Sequence, residues 1–146
     1  MELSITYLPI HELKPNPHNA RTHSDQQVRQ IANSMKEFGI NSPILIDKHK
    51  TMIAGHCRVL AAKLLGIKNV PTICLEDLTD DQVRAYMLAD NKLAQKAGWD
   101  ESLLAAEFSH LLTVDLGFDV TVAGQKQHQQ CDSVRNPQRK SCVGGE

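Results

Sequence analysis

The chain has 146 residues and a formal net charge of −1, and this length is typical of one ordinary domain. Hydrophobic residues make up 41% and charged residues 23% of the sequence, which excludes a collagen-like, fibrous or wholly disordered protein. No apolar run approaches the roughly 20 residues that span a bilayer, and the N-terminus lacks the pattern of a signal peptide. These features predict a cytoplasmic protein without a membrane partner.

Charge is unevenly distributed along the chain. Residues 1–70 carry 9 Lys and Arg against 5 Asp and Glu, residues 71–121 carry 3 against 10, and residues 122–146 carry 4 against 2. An anionic ligand is therefore expected on the first segment. The four cysteines form no C-x-x-C pair, so neither disulfides nor a zinc site of the usual spacing is predicted.

The first half of the chain predicts a strand, a helix and a hairpin. A short strand opens the segment 7–23, which then becomes a loop rich in proline and asparagine. Ser24 has the position of a helix N-cap, and the helical spacing of apolar residues continues from there until Gly39. Two short β-type runs at 43–47 and 51–54, separated by polar residues, then predict a hairpin.

The second half predicts three helices and one strand. Gly55 ends the hairpin directly before an apolar helix, and Gly66 lies where a helix C′ residue is expected. Residues 70–75 predict a strand, a capping box predicts a helix over about 79–97, and Asp100 is expected to cap a last helix. The fold class is therefore α/β of the mixed α+β kind, with a small mixed sheet flanked by helices.

The C-terminal segment differs in composition from the rest. It has almost no large apolar residues and no hydrophobic period. Such a segment cannot bury enough surface to offset its ordering entropy. We therefore expect a domain at 1–119 and a disordered polar tail at 120–146.

The turn between the hairpin and the following helix is the candidate binding site. A strand that ends in glycine and leads directly into a helix presents free backbone N–H groups with a partial positive charge. Gly55 would let a phosphate approach the backbone, while His56 and Arg58 could donate hydrogen bonds to its oxygens. The alternative is a plain tight turn beside a solvated Arg58.

The order of the motifs resembles the ParB N-terminal domain of the ParB/sulfiredoxin superfamily. The resemblance covers about residues 4–119 and is nearest to short phage and mobile-element modules, which are often found beside DNA methyltransferases. The matching segments, in order, are HELKPNPHNARTH, FGINSPILID, IAGHCRVLAAKLLGI, VPTICLE and LADNKLAQ.

The resemblance implies a site for CTP or ATP with Mg²⁺. By position in the motifs, the implied residues are phosphate contacts at Arg21, Gly55, His56 and Arg58, a base-reading segment including Ser42 and Pro43, and a metal-binding pair at Asp90 and Asn91. Cys57 and Leu60 stand where the family has further arginines, so at least two of its phosphate contacts are missing.

The helical period over 79–97 gives a prediction for Asp90 that does not depend on the family resemblance. Val83, Met87 and Ala94 mark the inward stripe of this helix. Asp90, seven residues after Val83, is predicted to share that stripe. A carboxylate there must be paired, hydrated in a cleft or bound to a cation. Two hypotheses follow, namely an ion pair with Arg58 or Lys92, and a Mg²⁺ ligand.

The resemblance implies two classes of function. The first is a nucleotide- or phosphate-binding module of a DNA-associated system for partition, DNA modification or transcriptional control. Its implied partners are DNA, a methyltransferase or a partition protein, and a second copy of the chain. The second class is enzymatic, with weak CTP or ATP hydrolysis or nuclease activity.

A third hypothesis is a thiol enzyme of the sulfiredoxin type. Cys57 beside Arg58 at a helix N-terminus is a position where the pKa of a thiol is expected to be lowered. Sulfiredoxins carry their cysteine in this same turn, but here cysteine and histidine are exchanged. The exchange favours a packing role for Cys57.

Overall fold

A four-stranded sheet forms the centre of the fold in the computed structural model, which describes residues 2–119 and residue 122. The order of the strands is β1-β4-β2-β3. Strand β4 pairs antiparallel with β1 and parallel with β2, and β2 and β3 form the predicted antiparallel hairpin. The strands are β1 at Ile5–Pro9, β2 at Ile44–Ile46, β3 at Met52–Ala54 and β4 at Asn69–Cys74.

Helices cover both faces of this sheet. Ser24, Thr79 and Asp100 cap three of the helices, and each side chain accepts a hydrogen bond from the backbone N–H three residues later. The capping predictions are therefore confirmed. The helices are α1 at Asp25–Phe38, α2 at His56–Leu64, α3 at Asp80–Lys96 and α4 at Glu101–Thr113, with a short 3-10 helix at Ile10–Glu12.

The hydrophobic core has two parts because successive residues of a strand point to opposite faces of the sheet. Met52 belongs to the larger part, which packs α1 and α2 against one face. Its neighbour Ile53 belongs to the smaller part, which packs Val83 and Met87 of α3 against the other face. The mixed α+β fold is confirmed, with β3 and the turn after it lying between the two layers of helices.

Helix α3 buries less of its surface than the sequence predicts. Val83 and Met87 are buried, but Asp90 and Ala94 are exposed. Because its buried residues lie only in the first half, the second half of α3 extends beyond the sheet. The prediction that Asp90 lies on a buried stripe is therefore wrong.

Two further expectations concern the C-terminal tail and membrane-spanning helices. The tail predicted at 120–146 lies, apart from residue 122, outside the described residues. No helix in the part of the chain that the structure describes has the length and apolar composition to cross a bilayer.

Candidate functional site

The N-terminus of α2 differs from those of the other helices. Of the four α-helices within residues 2–119, α2 alone begins without a side-chain cap and without an acidic residue in its first turn. Its N-cap is Gly55, whose φ of 97° lies in the left-handed region that favours glycine. The first N–H groups of α2 therefore keep their partial positive charge.

A cavity of about 180 Å³ lies at this helix terminus. Drug-sized ligands usually occupy pockets of roughly 300–1,000 Å³, so this cavity has room for phosphate groups but not for a whole nucleotide. Three parts of the chain supply its polar lining: the loop before α1 with Asn19, Arg21 and His23, the turn with Gly55, His56 and Arg58, and α3 with Asp90 and Asn91. Six of the residues predicted from the sequence thus line one cavity.

Arg58 is the main charged group of the cavity. Its Nη2 donates a hydrogen bond of 3.1 Å to the carbonyl oxygen of Pro43, whereas its Nε is buried and has no hydrogen-bond partner. Burial lowers the pKa of the guanidinium, and the Asp90 carboxylate acts in the opposite direction. A buried donor without an acceptor costs about 1–3 kcal/mol, so an anion oxygen at Nε would remove a penalty as well as add a contact.

Because Gly55 has no side chain, the guanidinium of Arg58 can lie directly beside it. A Cβ at Gly55 would lie 3.0 Å from Nη2 and 3.2 Å from Nε of Arg58, and 2.8 Å from Cδ1 of Ile44. The sequence suggests that the glycine admits a phosphate to the backbone. The structure gives a second reason for a glycine at this position, because the Cβ of any other residue would displace the guanidinium of Arg58.

His56 is half-buried and its ring is hydrogen-bonded to the loop before α1. Its Nε2 accepts a hydrogen bond of 3.4 Å from the backbone N–H of Asn16. Burial, and to a smaller extent the charge of His23, lowers the pKa of His56. The ring is therefore neutral near pH 7. Sequence reasoning missed Asn16 because nothing in the Asn-Pro context of a loop indicates a contact 40 residues away.

Cys57 is only 6% exposed and lies in the wall of the same cavity. Burial raises the pKa of its thiol, and the opposing charges of Arg21 and Arg58 do not overcome this effect. The suggestion of a lowered thiol pKa is therefore wrong, because desolvation outweighs the nearby cations.

Asp90 and Asn91 lie at the edge of the cavity on α3. Arg21 Nη1 donates a hydrogen bond of 3.4 Å to Asn91 Oδ1. The Asp90 carboxylate makes no ion pair within residues 2–119, and the pairing considered with Arg58 or Lys92 is not formed. Since Mg²⁺ is often held by one or two carboxylates and the phosphates of a substrate, this pair fits the metal only where a ligand supplies further oxygens.

Ser42 and Pro43 do not line the cavity. Ser42 is exposed and Pro43 is half-buried, and the hydrogen bond from Arg58 to Pro43 is their link to the phosphate side of the site. A base contacting this segment would therefore lie outside the cavity.

Comparison with protein families gives one match that covers most of the described chain. The family described as the ParB N-terminal domain matches residues 2–92. The ParB-like nuclease domain-containing protein YnaK of Escherichia coli is 52% identical over 81 residues, which are 56% of this chain and 93% of that protein. A probable chromosome-partitioning protein ParB of Campylobacter jejuni is 32% identical over 113 residues.

A solved structure has the same fold. The C-terminally truncated chromosome-partitioning protein ParB from Caulobacter crescentus, complexed with CTP-gamma-S, is matched with a TM-score of 0.65 and 28% identity. The match covers 75% of this chain and 63% of that one. The chain spans only 40% of the length of the Campylobacter partitioning protein, so the similarity to the partitioning proteins concerns one part of them.

Proposed function

The chain belongs to the ParB N-terminal domain family, and on this basis we propose that its cavity binds the phosphate groups of a nucleoside triphosphate, with CTP as the first candidate and ATP as the second. A related structure holds CTP-gamma-S, which supports a cytidine nucleotide. The volume of about 180 Å³ fits the phosphates inside the cavity, with the sugar and base outside it.

The buried Nε of Arg58 is the observation that carries this proposal. It is an N–H donor without a partner, and it lies beside the uncapped first turn of α2. A phosphate oxygen at this point would accept from Nε and from backbone N–H groups together. A solvated surface arginine, which was the alternative, would not have a buried and unpartnered Nε.

The remaining predicted residues have distinct roles in this proposal. Arg21 contributes a second guanidinium from the loop before α1, and Ser42 and Pro43 contact the base outside the cavity. Asp90 and Asn91 hold Mg²⁺ together with phosphate oxygens, and the cation neutralises part of the phosphate charge.

The wider role that we propose is a nucleotide-responsive module of a DNA-associated system. The relative from Campylobacter jejuni is named as a probable chromosome-partitioning protein, which supports this role, and it is much longer than the matched segment. DNA, a methyltransferase or a partition protein, and a second copy of the chain are the proposed partners, and the proposed compartment is the cytoplasm. We place the functional domain at 1–119.

The enzymatic alternative is weak triphosphatase or nuclease activity. It draws on the name of YnaK, which describes a nuclease domain. Residues 2–119 contain no group of three or more His, Cys, Asp or Glu side chains arranged to hold a metal ion, so a metal-dependent reaction would depend on oxygens of the substrate.

Titration calorimetry with CTP, ATP and GTP, each with Mg²⁺, tests the proposal. A charge-assisted hydrogen bond contributes roughly 1.5–3 kcal/mol, so Arg58→Ala should weaken CTP binding by about 10- to 100-fold. Arg58→Lys keeps the charge but loses the Nε donor, and should recover only part of the affinity. Arg29→Ala is the matched control, since Arg29 is an exposed arginine of α1 that does not line the cavity.

Each outcome has a defined meaning. Equal losses in Arg58→Ala and Arg29→Ala, or no binding of any nucleotide at millimolar concentration, would contradict the phosphate site. Phosphate release from CTP or ATP, or cleavage of DNA, that is lost in Arg58→Ala would favour the enzymatic alternative.

A further inference from the structure

We propose that anion binding in this cavity is coupled to the protonation of His56, which gives up its hydrogen bond to the Asn16 amide and gains a positive charge beside the anion. The inference rests on the proposed function, because it concerns the regulation of the same site. It predicts that the cavity binds anions more tightly as the pH falls.

The hydrogen bond between Asn16 and His56 defines the two states. A ring nitrogen can accept a hydrogen bond only while it carries no proton, so the contact from the Asn16 N–H to His56 Nε2 exists only with a neutral ring. Protonation of Nε2 would place two N–H groups against each other. At 3.4 Å this hydrogen bond is longer than the usual 2.7–3.2 Å, so giving it up costs little.

The side chain of Asn16 keeps its backbone N–H directed at the ring. Its Oδ1 accepts a hydrogen bond of 2.9 Å from the N–H of His18, and its Nδ2 donates to the sulfur of Met87 at 3.2 Å. Because these two hydrogen bonds fix the position of Asn16, protonation of His56 breaks the hydrogen bond between the two residues, and Asn16 does not move to form another. The state of His56 is thus reported by the Asn16 amide.

The charges that face His56 determine the direction of the coupling. The titratable and charged groups that line the cavity together with His56 are Arg21 and His23 from the loop before α1, Cys57 and Arg58 from α2, and Asp90 from α3. Burial of the ring and, to a smaller extent, the charge of His23 lower the pKa of His56, so a proton on the ring is unfavourable while the cavity holds no anion. A bound dianion reverses this balance, because the added positive charge then faces a negative one.

The sign of the effect follows from linkage. The anion favours the protonated ring, so protonation must favour the anion by the same factor. Affinity should therefore rise as the pH falls through the pKa of His56 in the complex and level off below the pKa in the free protein. Conversion of a neutral contact to a charge-assisted one predicts binding about five- to tenfold tighter at about pH 5 than at about pH 8.

The first experiment uses the ligand-free protein. An NMR pH titration should show the His56 ring and the Asn16 backbone amide changing with one common midpoint. In His56→Gln the Asn16 amide should no longer change over that range. If the Asn16 amide does not follow the His56 ring in the wild-type protein, the exchange of the hydrogen bond is refuted whether or not an anion binds.

The second experiment measures the binding of inorganic sulfate by NMR at about pH 5 and about pH 8. Sulfate is chosen because it remains a dianion over this range, whereas the terminal phosphate of a nucleotide titrates within it. The five- to tenfold preference for the lower pH should disappear in His56→Gln and persist in His49→Gln, whose histidine is exposed and lies outside the cavity. His23→Gln should keep most of the preference.

Failure of the inference and failure of the proposed function have different signatures. Sulfate affinity that is equal at both pH values, or a pH dependence that survives in His56→Gln but disappears in His23→Gln, overturns the coupling and leaves the phosphate site in place. If neither sulfate nor CTP binds to the wild-type protein at either pH, both are overturned.

Discussion

Replacement of Gly55 by alanine tests whether the turn before α2 is built around the Arg58 side chain. The substitution adds one methyl group at a residue with φ of 97°. That methyl group would lie 2.8 Å from Cδ1 of Ile44 and 3.0 Å from Nη2 of Arg58. Ile44 is 1% exposed and has little room to move, so we expect the guanidinium to be displaced.

The expected loss of stability combines three terms. A left-handed residue with a side chain costs about 1–2 kcal/mol, and crowding of a packed core costs typically 1–3 kcal/mol. Alanine also restricts the unfolded chain relative to glycine, which offsets about 0.4–1 kcal/mol. The sum predicts that Gly55→Ala lowers the free energy of unfolding by roughly 1–4.5 kcal/mol.

Gly66→Ala is the matched control for this experiment. Gly66 has φ of 73°, but no atom lies within 4 Å of the position that its Cβ would occupy. Gly66→Ala therefore has the cost of a left-handed backbone conformation but not the cost of crowding in the core. Urea denaturation of both variants should place Gly55→Ala below Gly66→Ala by about 1–3 kcal/mol, and sulfate affinity should fall only in Gly55→Ala.

Equal stabilities of the two variants would refute the crowding at Ile44. Unchanged sulfate affinity in a folded Gly55→Ala protein would refute the claim that the glycine makes room for Arg58. The two results are independent, because stability reports the contact with Ile44 and affinity reports the position of the guanidinium.

Two further predictions concern the thiol and the tail. Because Cys57 is buried with a raised pKa, iodoacetamide should modify it far more slowly in folded than in urea-unfolded protein, and Cys57→Ala should leave CTP affinity unchanged within about twofold. Rapid labelling of folded Cys57, or ATP-dependent repair of a sulfinylated peroxiredoxin that is lost in Cys57→Ala, would instead support the thiol-enzyme hypothesis. A chain ending at Asp119 should melt at the same temperature as the full chain, because residues 123–146 offer little apolar surface to bury; a fall of several degrees would place them in the folded domain.

The sequence by itself determined the local structure. Ser24, Thr79 and Asp100 act as caps because capping depends on a side chain and the backbone three residues away. Gly66 adopts a positive φ, as its place directly after the end of α2 predicts. The order of the motifs also identified the family, since the spacing of such short segments can be recognised without knowledge of their contacts.

The tertiary structure decided how far these elements are buried and what their side chains contact. The period of α3 assigns Asp90 to the same stripe as Met87, but only the first half of the helix packs on the sheet, so Asp90 is exposed. Cys57 has the cation Arg58 beside it in sequence, and its burial nevertheless raises the pKa of the thiol. The contacts of Asn16 with His56 and of Pro43 with Arg58 join residues that are 40 and 15 positions apart. Periodicity and capping act over three or four residues, whereas desolvation and contacts between distant segments depend on how the sheet and helices pack, which no local pattern specifies.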